Sequence, residues 1–185
     1  MSSHDAHAAD PSQRTNWFAV WVVVLASVAA AFQIGKAPVA LPVMQAELGL
    51  TLDEGVWIIS IFNLMGIALG MFAGALGDRL GHRKLILVGF VAMAAASFLG
   101  AGADGFAQLL ASRVFEGFGF VVVVAVAPPL FLQFAAPRHH RLMFGFYSGY
   151  WPAGVAVMIL VTPFILEGSG WRGLWMVNGV LAIVV

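Results

Sequence analysis

Charged residues in this 185-residue chain are confined to short intervals, and the stretches between them limit the fold more than any other feature. Uncharged runs cover residues 15–35, 55–77, 85–103, 117–137 and 142–166, and a last one covers 173–185. A helix needs about 20 apolar residues to cross the hydrocarbon core of a bilayer, so the first five are long enough. No water reaches the backbone there, and only helices or a closed barrel satisfy its amides. Barrel strands are about 10 residues long and alternate strictly, whereas these runs are longer and apolar throughout. The pattern predicts an all-α polytopic membrane protein. Ala29-Ala30-Ala31 resembles a signal-peptide cleavage site. Against cleavage, the uncharged run is longer than a usual signal core, and Asp5 and Asp10 precede it with a single Arg14. It reads as a retained span.

Composition removes several function classes. Apolar residues make up 61% of the chain and charged ones 10%, against about a quarter charged in soluble domains. Nine basic and nine acidic side chains cancel, so no bulk charge steers the chain toward nucleic acid. There is no cysteine, which removes disulfides, thiolate metal sites and cysteine catalysis. The five histidines, His4, His7, His82, His139 and His140, lack the i, i+4 spacing around a Glu that a zinc hydrolase needs. No metal, cofactor or nucleophile–base pair is expected, and the chain does not read as an enzyme.

The loops alternate in charge. Arg14, Arg79, Arg83, Lys84, Arg138 and Arg141 fall in the tail and in the second and fourth loops. Glu47, Asp53, Glu54, Asp104 and Glu167 fall in the others, with Arg172 alone against them. Cytoplasmic loops carry the Lys/Arg excess, so the N-terminus is expected in the cytoplasm and the protein in the inner or plasma membrane. Trp17, Trp57, Trp171 and Trp175 lie near span ends, where indoles favour the interface. We expect a disordered tail over 1–16 and a transmembrane bundle over 17–185. Its helices are expected at about 16–43, 55–77, 84–103, 106–135, 142–166 and from 171 onward, by the same span-length rule. The sixth is too short to cross unless it is strongly tilted, which reads as a partial sequence. Small residues recur every four positions at Gly66, Gly70 and Gly74, and at Gly145, Gly149 and Ala153; such spacing lets helix backbones approach closely.

The second loop reads Gly74-Ala75-Leu76-Gly77-Asp78-Arg79-Leu80-Gly81-His82-Arg83-Lys84. Gly74 permits a close helix approach and Gly81 a tight turn. Asp78 can accept charge-assisted bonds from helix-end amides or a nearby Arg. The basic residues would set topology by themselves, but topology does not need Asp78. This loop resembles the hallmark loop of the major facilitator superfamily. Arg113-Val114-Phe115-Glu116-Gly117-Phe118-Gly119 resembles that family's fourth-helix motif, and Gly170-Trp171-Arg172-Gly173-Leu174-Trp175 resembles the usual entry to its sixth helix. Residues 35–42 and 45–50 resemble first-helix ends in the branch that includes cyanate permease. The resemblance implies a cytoplasmic latch formed by Gly74, Asp78, Arg79, Gly81 and Arg83. It also implies two six-helix halves around a midplane site, so the C-terminal half of the same transporter is expected as a partner. Two departures lower a drug-antiporter reading. The fifth helix has Gly149-Tyr150-Trp151-Pro152-Ala153-Gly154 in place of a Gly-Pro pair with trailing glycines, and Gln33 stands where a first-helix acid is usual.

Three ionisable residues fall within spans: Lys36, Arg113 and Glu116. A charge at the bilayer centre costs roughly 3 kcal/mol or more, so these should face the bundle interior or water. Lys36 and Arg113 sit at similar depth, roughly 10–12 Å below the outer surface at about 1.5 Å per residue. Glu116 lies one turn deeper on the face of Arg113, with Gln33 and Asn63 at similar depth. The resemblance places the first and fourth helices around a central cavity. Lys36, Arg113, Glu116, Gln33 and Asn63 are therefore expected to line a solute or proton pathway with one excess positive charge. Such a site suits an anion, gripped by Arg113 through paired bonds and by Lys36 as a point charge. Two plainer roles stand beside this: an Arg113–Glu116 structural pair, and a Lys36 that snorkels to the interface. Tyr147, Tyr150 and Trp151 offer stacking or packing. The expected function is a secondary transporter moving a small anionic solute by alternating access, with proton coupling through Glu116 and lipid as surroundings. The alternatives are a proton-coupled drug or metabolite exporter of the same superfamily, and a non-transporting membrane subunit.

Overall fold

In a computed structural model, residues 14–185 are described, leaving aside the side chains of Ala75 and Asp78. Most of the expected tail, residues 1–13, therefore lies outside the described residues. The described chain is helical: α1 (Trp17–Leu48), α2 (Leu52–Leu80), α3 (His82–Ala101), α4 (Phe106–Phe134), a 3₁₀ turn (Pro137–His139), α5 (His140–Ser148) and α6 (Tyr150–Val184). Among the described residues five segments are long and apolar enough to cross a membrane, the last running over Pro137–Val184.

Local chemistry explains where several helices begin and end. α1 runs five residues past the expected end at 43, through Pro38 and Pro42, until Gly49 adopts φ 65° and closes it with a bond from its N–H to Gln45 O. Prolines are tolerated in a membrane span because neighbours re-satisfy the freed carbonyls. α2 starts three residues early. Thr51 Oγ1 accepts from the Glu54 N–H at 3.3 Å while Glu54 Oε2 accepts from the Thr51 N–H at 2.8 Å, a reciprocal capping box. Gly81, at φ 90°, joins α2 to α3 without a longer loop. The expected loop over 167–170 is absent; helix continues to Gly170, whose φ of 66° and ψ of −175° break it.

Packing is uneven. α4 lies against α3, α2 and α1, while α6 lies against α1 before Gly170 and against both α1 and α3 after it. α3 and α4 approach closely where a Cβ on Gly119 would stand 2.5 Å from Gly89 O, and α6 and α1 do so where one on Gly154 would stand 2.5 Å from Ala31 Cβ; only glycine fits at either place. Among the described residues the close approaches expected of Gly70 and Gly74 are not made. A Cβ on either would meet nothing within 4 Å, nor would one on Gly145. Gly66 comes no nearer than 4.0 Å to a Val121 methyl. Four-residue spacing marks a face that can pack closely, and no described residue packs closely on it at Gly70, Gly74 or Gly145.

Candidate functional site

Five polar side chains converge where α1, α3 and α4 meet, and all are buried: Gln33, Lys36, Ser97, Arg113 and Glu116. Their placement follows from helix geometry. Gln33 and Lys36 are one turn apart on α1, and Arg113 and Glu116 are one turn apart on α4, so each pair shares a face. α3 contributes Ser97, the one polar side chain beyond its first turn.

Glu116 is the centre. Its Oε1 accepts from the Lys36 ammonium at 2.6 Å and from the Ser97 hydroxyl at 2.7 Å. Its Oε2 accepts from Arg113 Nη1. Lys36 also donates to Ser97 Oγ at 3.0 Å and stands 4.5 Å from the centre of the Trp175 ring. Arg113 donates from Nη1 to Gln33 O at 3.0 Å and from Nε to Ile58 O at 3.3 Å, and its guanidinium lies 4.5 Å from the Phe62 ring centre. Two cations thus share one carboxylate, and each cation also faces an aromatic ring. Taking such ions out of water costs several kcal/mol each before their attraction returns anything. The cluster is an expensive way to hold helices together, which favours a chemical role for it. What it can do is hold one excess positive charge in a buried place, and exchange a proton at Glu116 if the cations separate from it.

Four of the expected pathway residues come together, and the plainer reading of Lys36 as an interface anchor is overturned, because its ammonium is fully buried and points inward to Glu116. Asn63 stays apart. It is exposed, and its Nδ2 donates to Ile59 O at 3.4 Å within its own helix. Phe62 and Ile58 turn toward Arg113 instead, and one residue of helical rotation carries Asn63 off that face. Ser97, Trp175 and Phe62 were not expected. Ser97 carried a signal, as a lone hydroxyl in an otherwise apolar span. The two rings carried none, because any aromatic in a span reads equally well as packing.

The expected gating loop is separate from the node. From Arg83 to Ser97 along α3 is about 21 Å at 1.5 Å per residue. Gly81, expected to allow a tight turn, has φ 90°. Arg79 is exposed, and Arg83 lies 5.2 Å from the Phe134 ring centre at the end of α4. Asp78, the residue that gave the loop its meaning, has its side chain outside the described part. Among the described residues no three His, Asp or Glu side chains come close enough to hold a metal ion.

Membrane-length helices gathered around a buried ion network define a multi-pass membrane protein. Residues 23–185 match the Major Facilitator Superfamily, and the chain belongs to that family, one of transporters rather than enzymes. It is similar to the methyl viologen resistance protein SmvA of Salmonella typhimurium, at 27% identity over 91% of this chain and 34% of the relative. It is also similar to the niacin transporter NiaP of Acinetobacter baylyi, at 29% over 95% and 40%. The multidrug efflux pump LfrA of Mycolicibacterium smegmatis is 28% identical over 87% of this chain and 32% of its own length. The chain thus spans about a third of the length of the curated relatives it matches.

Proposed function

We propose that this chain carries the charge node of a secondary transporter that moves a small anionic solute across the membrane by alternating access. The observation that carries this reading is the unequal sharing at Glu116, where Lys36 and Arg113, both buried, divide a single carboxylate and leave one positive charge over. The relatives do not decide the sign of the cargo. Methyl viologen is a bipyridinium dication and niacin is a pyridine carboxylate at neutral pH, so the charge has to be read from this chain's own residues. In this reading the tail is cytoplasmic, Gly170 separates two spans, and the chain falls in the cyanate permease-like branch. The loop holding Arg79 and Arg83 latches the inner side.

The test is transport by the protein reconstituted in proteoliposomes, with matched anionic and cationic solutes and with or without a pH gradient. Lys36→Met removes the surplus charge and leaves the Arg113–Glu116 pair intact. Anion transport should fall by about tenfold or more, the value of roughly 1.4 kcal/mol. If Lys36→Met moves anions at the unmodified rate, or the unmodified protein prefers cations, the anion reading is wrong. A second reading, proton-coupled efflux of drugs or metabolites, draws on the relatives named for resistance and multidrug efflux. There Glu116 carries the proton, and Glu116→Gln should abolish the response to a pH gradient while Lys36→Met spares it.

A further inference from the structure

We propose that Ser97 is a positioning residue that works as a hydroxyl switch: its single proton bonds Glu116 while that carboxylate is charged, and turns to Gln33 when Glu116 takes up a proton. This rests on the transporter reading above and deepens it, because it names what proton exchange at Glu116 changes on α1. The first observation is where the hydroxyl points. Ser27, Ser112, Ser148 and Ser169 each donate to a carbonyl three or four residues back, the usual local outlet for a serine inside a helix. Ser97, fully buried in α3, is directed instead to side chains of α1 and α4. A hydroxyl has one proton to donate and two lone pairs to accept with. One lone pair takes the Lys36 ammonium at 3.0 Å. The proton has two acceptors in reach, Glu116 Oε1 at 2.7 Å and Gln33 Oε1 at 3.3 Å. With Glu116 charged, the shorter and charge-assisted bond prevails.

Proton uptake reverses that choice. The Glu116 carboxylate gains one O–H from a proton carried in by water and loses its charge; the Ser97 O–H rotates and stays intact. Arg113 faces Oε2 with a donor, so the acid hydrogen has to sit on Oε1, where the second lone pair of Ser97 accepts it. The Ser97 proton then passes to Gln33 Oε1, which has no other donor among the described residues. Ser97 and Glu116 stay hydrogen-bonded to each other in both states, as burial demands. Lys36 keeps Ser97 and the Trp175 ring and gives up its carboxylate, so both α1 residues of the node register the change on α4. Among the described residues the buried titratable side chains are Lys36, Arg113 and Glu116. Lys36 faces Glu116 from α1 and Arg113 faces it from α4. α3 presents Ser97, and α2 and α6 present Phe62 and Trp175 to the two cations.

The experiment is difference infrared spectroscopy between acid and alkaline buffer on the whole protein in proteoliposomes, with the proton as the one ligand titrated. The carbonyl band of the protonated acid is assigned to Glu116 by its loss in Glu116→Gln. Ser97→Ala removes the acceptor of the acid hydrogen and should move that band to higher wavenumber, where a carboxylic acid without a partner absorbs. Gln33→Met is the decisive variant, because the Gln33 side chain does not bond Glu116 and its backbone bond from Arg113 is kept. Without Gln33 Oε1 the Ser97 proton stays on Glu116, the acid hydrogen loses its acceptor, and the band should move in the same sense. The double variant should match Ser97→Ala, since both changes act through one hydroxyl. A serine that serves packing alone gives no shift in Gln33→Met. The proposal is overturned if no band that depends on Glu116 forms on acidification, or if Gln33→Met leaves the band in place, a result that holds even where Ser97→Ala does not fold. If the bands move as expected and Lys36→Met carries anions at the unmodified rate, the switch stands and the anion reading falls. If anions are favoured and the Gln33→Met band stays in place, the anion reading stands and the switch falls.

Discussion

α2 and α4 have the same length, 29 residues, and equal hydropathy, yet one is mostly outside the bundle and the other mostly inside it. Of the most apolar stretch of α4, 56% is buried; for α2 the figure is 17%. α4 carries Arg113 and Glu116 on its inner face, and a Cβ on its Gly117 or Gly119 would stand within about 3 Å of α2 or α3. α2 carries Gly66, Gly70 and Gly74 on a face that meets almost nothing. In water the two would be told apart by polarity. In a bilayer the lipid tails are as apolar as leucine, so hydrophobicity does not sort inside from outside. Buried charge does, because it can only be accommodated where partners are waiting.

The comparison breaks first at Glu116 if it is mistaken. Glu116→Ala leaves two buried cations without their counterion, and removing one partner of a buried pair costs about 3–5 kcal/mol. We expect the protein to unfold at markedly lower denaturant in mixed detergent micelles; an unchanged midpoint would mean that water already reaches the node. The next effect is steric. Gly119→Ala sets a methyl group 2.5 Å from Gly89 O and 2.6 Å from Met93 Cγ, and overpacking of this kind costs about 1–3 kcal/mol. Gly70→Ala and Gly74→Ala place the same methyl in open space and should stay within about 0.5 kcal/mol. Equal losses from Gly74→Ala and Gly119→Ala in the same unfolding assay would erase the distinction between the two helices.

That distinction also marks where sequence reasoning worked and where it stopped. The helices were legible because a bilayer permits few alternatives to an uncharged run of this length. The meeting of Lys36, Arg113 and Glu116 was legible for a related reason: intramembrane charges must find one another or water, and their depths could be counted along the helices. Asn63 was placed by depth alone, and depth does not fix rotation about the helix axis. The capping box at Thr51 and Glu54 had a readable signal that a count of apolar residues passes over. The open glycine faces had no readable signal, because regular spacing is the same whether or not a partner arrives. Trp175 was assigned to the membrane interface for its position near a span end, yet it sits fully buried over Lys36.

The smallest expected effect concerns a second ion pair, and it sharpens the contrast because it repeats the chemistry of the node in a wetter place. Glu47 at the end of α1 accepts from Arg172 and, at 2.8 Å, from Trp171 Nε1, just after the break at Gly170. Arg172 also donates to Ala103 O at 3.0 Å, and its guanidinium lies 4.4 Å from the Trp171 ring centre. The side chains of Glu47 and Arg172 are 48% and 34% exposed, so solvent screens most of their attraction and the pair contributes at most about 1 kcal/mol. Glu47→Gln keeps one acceptor oxygen and should lower stability by less than that. The discriminating measurement is salt. At 1 M ionic strength the Debye length is about 3 Å, so the deficit of Glu47→Gln should vanish while that of Glu116→Ala persists, its charges being shielded by protein and not by ions. If both deficits shrink together, the node is open to solvent and α4 is no more interior than α2; if neither shrinks, the outer clasp is held by its hydrogen bonds to Trp171 and Ala103 and not by charge.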